Sequence, residues 1–119
     1  MKKATIRIAG RDVPVAYCYA TEVTFAELTG ISVQEYLQQS SEGAVADARK
    51  TVHLILSAAL AAAQGEEKDT PIDFREIMFA ASPGEIADAV TTIVNLCTDW
   101  YKLPFGEDAT PAAEDCGKN

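Results

Sequence analysis

The chain has 119 residues, 48% of them hydrophobic and 24% charged, with a formal net charge of −8 at neutral pH. That length holds one domain with a real core and leaves no room for two, while an acidic surface repels phosphate backbones and so disfavours nucleic-acid binding. Cys18, Cys97 and Cys116 are odd in number and far apart. No disulfide framework is therefore expected; with no secretory leader after Met1-Lys2-Lys3 and no apolar run of membrane-spanning length, the expectation is a protein of the reducing cytoplasm.

The first element is a β-hairpin over about residues 4 to 17. Ile6 and Ile8 alternate with Thr5 and Arg7, and Val13 and Val15 alternate with Pro14 and Ala16, the period-two pattern of half-buried strands. A turn on Gly10-Arg11 would set Pro14 at a hydrogen-bonded position, where its missing N–H is a defect. A turn on Ala9-Gly10 moves Pro14 to a non-hydrogen-bonded site and is the preferred register. Either register gathers Ile6, Ile8, Val13 and Val15 on one face. A lone hairpin is marginal in water, so that face needs a cover, supplied by the chain's own helices or by another chain. Lys2, Lys3, Arg7 and Arg11 against Asp12 give the first twelve residues a net +3, which leaves −11 for the remainder. Those cations are either solvated or available to an acidic protein partner.

Everything after the hairpin reads as helix. Capping boxes, in which a hydroxyl accepts the N3 amide and an acidic side chain reaches back, are predicted at Thr24 with Glu27, Ser32 with Glu35, Thr70 with Asp73, and Ser82 with Glu85. Pro71 and Pro83 follow their caps, where a missing N–H costs nothing. The predicted helices run from about Thr21 to Leu28, stopping at Gly30; Val33 to Gln39; Ala44 to Gln64, stopping at Gly65; Pro71 to Ala80; and Pro83 to Lys102, stopping before Pro104. In the third, Val45, Ala48, Val52, Ile55, Ala59 and Ala63 form a core stripe, with Arg49, Lys50, His53 and Ser57 on a polar strip. Its second half is apolar nearly all round, which predicts a central position. The last helix carries Ile86, Ala89, Val90, Ile93, Leu96, Cys97 and Trp100 along one side. The predicted architecture is α+β, mostly α: a single domain over 1–104 in which the hairpin packs on about five helices, then a mobile acidic tail over 105–119 too poor in large hydrophobes to order.

Little in the chain points to catalysis. His53 is the only imidazole, and Ser57 stands one helical turn away. A Ser–His pair without an orienting group or an oxyanion loop is weak evidence for an enzyme or a ligand-binding domain. Structural zinc lacks its Cys and His pairs. Glu66, Glu67, Asp69 and Asp73 lack an EF-hand register and read as a solvated cluster. Isolated glycines make no phosphate loop. No catalytic, cofactor or metal residue is assigned. The candidate protein-contact residues are Ile6, Ile8, Val13 and Val15 on the hairpin, with the aromatics Tyr17, Tyr19, Phe79, Tyr101 and Phe105 at element ends, because large aromatics dominate binding hot spots; Trp100 continues the core stripe of its helix.

The order of a small hairpin over Ile6 to Val15 with its Gly10 turn, Ala20-Thr21-Glu22 through Leu28-Thr29-Gly30, and Asp99-Trp100-Tyr101 in the last helix resembles the tail assembly chaperones of long-tailed bacteriophages and prophages over about residues 4 to 103. The resemblance implies a non-enzymatic role in the bacterial host cytoplasm: binding the tape-measure protein, keeping its helical segments soluble and recruiting tail-tube subunits, with self-association and a frameshifted longer product as further implications. A small protein–protein adaptor unrelated to phage is the alternative within the same chemical class.

Overall fold

A two-residue hairpin turn whose twist matches that of its strands needs positive φ at both central residues. Ala9 and Gly10 supply it, with φ of 52° and 76°. In this computed structural model, which describes residues 2–40, 47–64 and 72–103, they join β1 (Lys3–Ile8) to β2 (Arg11–Ala16) in an antiparallel pair. Ile8 lies opposite Arg11, Ile6 opposite Val13 and Thr5 opposite Pro14. Residues flanking a two-residue turn form a bonded pair, and bonded and non-bonded pairs alternate. Pro14 therefore occupies a non-hydrogen-bonded site, the register its missing N–H demands.

Five helices follow: α1 (Tyr19–Thr29), α2 (Val33–Ser40), α3 (Ala48–Ala62), α4 (Phe74–Ala80) and α5 (Pro83–Tyr101). Gly30 ends α1 with φ of 82°, its N–H donating to the Ala26 carbonyl at 2.8 Å. Ser32 caps α2 by accepting the Glu35 N–H at 3.0 Å. The Ser82–Glu85 box opens α5, with Pro83 in its first turn.

Four predicted boundaries shift by two residues or more; the start of α3, expected at about Ala44, falls at Ala48, where Asp47 caps the helix by accepting the Arg49 and Lys50 N–H groups. α1 begins ahead of Thr21, because the Thr21 hydroxyl accepts the Cys18 N–H at 3.2 Å and donates to the Ala16 carbonyl at 3.0 Å; Thr24 and Glu27 are interior residues of that helix and cap nothing. Asp73 caps α4, accepting the Glu76 N–H at 2.8 Å, and so stands where Thr70 was expected; a carboxylate on extended backbone serves a helix start as well as a hydroxyl does. α3 ends at Ala62, and Gln64, with φ of 59°, takes the left-handed position expected of Gly65. The predicted tail, Thr70, Pro71, and Glu66, Glu67 and Asp69 of the charged loop lie outside the described residues.

The core forms where the hairpin meets two helices, β1 lying along α5 and β2 along α3. Ile6, Ile8, Val13 and Val15 are buried there with Leu54, Ile55, Ala58, Ala89, Ile93 and Leu96. The cover of the hairpin's apolar face is thus the chain's own α3 and α5. Helix α3 is central, as its nearly all-round apolar second half requires. It also packs against α1 and α4. α2 is fixed by Tyr36, which meets Phe25 edge-on at 5.5 Å and hydrogen-bonds Thr51, whose hydroxyl in turn donates to the Asp47 carbonyl at 3.1 Å.

A candidate protein-contact surface

The β2–α1 corner brings the start of α1 beside the end of α5, and four rings meet in that seam. Trp100 lies 5.5 Å from Tyr17, 5.6 Å from Tyr19 and 4.9 Å from Tyr101, in tilted or edge-on arrangements that suit the ring quadrupoles. Glu22 binds the group from beneath: the Tyr17 hydroxyl donates to its carboxylate at 2.8 Å, and the Tyr101 hydroxyl donates to the same oxygen. Burial, reinforced by these bonds to a carboxylate, pushes both phenols well above the ordinary tyrosine range. Burial likewise raises the thiol of Cys97, which lies within this network. Lys2 closes one rim through Asp99 at 2.6 Å and holds that carboxyl below its usual range.

Inward, the seam is core; outward, it is bare. Tyr19 is 71% exposed, Val23 51% and Tyr101 46%, with Leu103 exposed at the end of α5 and Trp100 half-buried. Tyr19 and Val23 are one turn apart and share a side of α1, while Thr21 and Phe25 face inward. α1 is therefore apolar on two sides, only one of which is covered within the chain.

No protein-family model, curated protein or solved structure matches this chain.

The sequence-derived contact residues divide accordingly. Ile6, Ile8, Val13 and Val15 are withdrawn into the core, which leaves their side chains nothing to offer a partner in this fold. Tyr17 is buried beneath the seam, whereas Tyr19 and Tyr101 are brought together on its surface. Trp100, assigned to the core, is shared between core and seam. Phe79 stands apart on α4, 82% exposed, with the Arg75 guanidinium 5.7 Å from its ring centre. Phe105 lies outside the described residues. Val23 and Glu22 were missed, although the four-residue spacing from Tyr19 to Val23 was there to read.

A second opening lies between α1, α3 and α4, an apolar groove of about 530 Å³ lined by Leu28, His53, Leu56, Leu60 and Phe74 among others. His53 stacks on Phe74 at 4.7 Å, and burial, with the Arg49 charge second, holds its pKa below the usual value. The Ser57 hydroxyl is buried and donates to the His53 main-chain carbonyl at 2.7 Å. It does not meet the imidazole. Among the described residues no three His, Cys, Asp or Glu side chains group as metal ligands, and no helix is long and apolar enough to cross a membrane. Cys97 is a free, buried thiol.

Proposed function

We propose that the protein is a non-enzymatic assembly chaperone whose α1–α5 seam holds an apolar helical client, and that the client is the tape-measure protein of a long-tailed phage or prophage, with tail-tube subunits recruited alongside it in the host cytoplasm. The observation that carries this reading is the exposed surface of Tyr19, Val23, Trp100 and Tyr101. Contiguous apolar surface on a small soluble domain marks a contact site, and rigid aromatics over a packed base lose little entropy when a partner lands on them. An amphipathic helix presents a matching apolar stripe. The Ser57–His53 pair lends no support to a hydrolytic reading, since its hydroxyl is engaged by the main chain.

Co-expression with the tape-measure protein of a long-tailed phage tests the proposal. The wild-type chain should keep that protein soluble and co-purify with it, and Tyr19→Ser with Val23→Ser should weaken capture by about 30-fold or more, the cost of losing hot-spot residues, while leaving thermal stability nearly unchanged. A tape-measure protein equally soluble with and without the chain would overturn it. Loss of capture by the variant for an unrelated partner would instead favour an adaptor outside phage assembly.

A further inference from the structure

The hairpin's two outer edges are unlike. In an antiparallel pair, residues at non-hydrogen-bonded positions turn their N–H and C=O away from the partner strand. With Ile8 and Arg11 as the bonded pair beside the turn, the outward groups belong to Lys3, Thr5 and Arg7 on β1 and to Asp12, Pro14 and Ala16 on β2. The row on β2 is broken. Pro14 has no N–H, the Ala16 carbonyl already accepts from the Thr21 hydroxyl at 3.0 Å, and the chain turns into α1 immediately beyond. The row on β1 is whole: N–H and C=O groups recur at every second residue, and among the described residues no hydrogen bond reaches them. A regular, unpaired edge is a template for another strand, and natural sheets usually blunt theirs. β2 is blunted along its main chain, whereas β1 is guarded only by the charges of Lys3 and Arg7, which repel a like-charged strand and admit an acidic one.

We propose that the outer edge of β1 is a docking site for an extended acidic segment of a partner protein, which adds to the hairpin as a third strand. Main-chain bonds to Lys3, Thr5 and Arg7 would supply the pairing, and charge selects the occupant. The side chains along this edge on the solvent face are Lys3, Thr5 and Arg7, all exposed; the neighbouring Lys2 and Arg11 are engaged by Asp99 and Glu76, so Lys3 and Arg7 carry the selection. A second copy pairing β1 to β1 would set these cations against one another, a destabilising arrangement for cross-strand neighbours. Acidic side chains in the incoming strand reverse the sign. The Arg7–Asp12 bridge at 3.1 Å is exposed on both sides, so Arg7 exchanges partners at little cost.

The site is separate from the aromatic seam, so the two proposals fail separately. The full chain, isotope-labelled, is titrated with a short synthetic peptide alternating valine and glutamate, and with a second peptide in which lysine replaces glutamate. The expected result is amide shifts and slowed exchange concentrated at Lys3, Thr5 and Arg7, absent at Asp12, with the lysine peptide weaker by about tenfold or more. Thr5→Pro places on β1 the same missing donor that Pro14 places on β2 and should abolish the response while the ladder amides of Ile6 and Ile8 stay protected. Should that variant lose the hairpin, Lys3→Glu with Arg7→Glu serves instead and should invert the preference toward the lysine peptide. No response at Lys3, Thr5 and Arg7, an equal response to both peptides, or prior protection of these amides in a sedimenting dimer would each overturn the proposal, the last by giving the edge to a second copy.

Discussion

Ile8→Ala measures how firmly the hairpin is held by its own chain. Ile8 is fully buried between the strands and α5, and the substitution removes three carbons. At about 0.8 kcal/mol for each the transfer loss is roughly 2.4 kcal/mol, and incomplete collapse of the space left behind adds about 1 kcal/mol. The expected cost is thus about 3.5 kcal/mol. At about 4 °C per kcal/mol for a chain of this size, the thermal midpoint should fall by about 14 °C. Circular dichroism melts at low and high protein concentration read it directly, because a hairpin docked within its own chain gives a midpoint independent of concentration. A loss below about 1 kcal/mol, or a midpoint that rises with concentration in the wild type, would refute docking in cis.

Glu85→Gln should keep the fold but loosen the turn: one Glu85 oxygen accepts the Ala9 N–H at 2.9 Å and the Ser82 N–H at 2.9 Å, and the other accepts the Gly10 N–H at 3.1 Å, whereas an amide offers one accepting oxygen; faster exchange of the Ala9 amide is the readout. Those same donors, Ser82 foremost, hold the Glu85 carboxyl below its ordinary value of 4.5, so its contribution is complete above that pH and is lost as pH falls through the lower folded value. His53 adds an earlier window. Its folded pKa lies below the ordinary histidine value of 6.5, so stability falls as pH drops from about 6.5 toward the folded value, and His53→Leu should flatten that part of a stability–pH curve while leaving the more acidic limb. Cys97, buried with its thiol pushed up by burial, should react with a thiol reagent only at the rate of opening in the native protein and promptly in denaturant.

The hairpin was legible to the residue because two local constraints agreed: the alternation of Ile6, Ile8, Val13 and Val15 set the parity, and Pro14 excluded one turn. Helix existence was equally legible, since Gly30, Ser32 and Ser82 are unambiguous stops and starts. Exact starts were less so. At the β2–α1 corner and ahead of α4, which residue caps depends on backbone geometry that spacing does not encode: Cys18 is the N-cap of α1, with Thr21 at the third position accepting its N–H, and Asp73 caps α4 where Thr70 was expected. The contact surface was half legible. Tyr19 and Tyr101 were singled out as aromatics at element ends, yet their meeting depends on the β2–α1 corner folding back on α5. The spacing of Val23 from Tyr19 puts the two on one side of α1, but that helix carries apolar residues on several sides, so spacing alone does not say which side is left bare. The second role of Glu85, at the hairpin turn, lies between residues 76 apart, beyond any local rule.

That separation also orders events during synthesis. The hairpin leaves the ribosome before α5 does, so the carboxylate that binds its turn and the α5 residues that cover Ile6 and Ile8 arrive only later. A nascent chain arrested before residue 82 must therefore display a strand pair with no latch and with α3 alone to cover it, and arrested chains of that length should bind a holdase that the completed protein ignores. A protein proposed as caretaker of another chain's apolar surface would itself need shelter until α5 arrives.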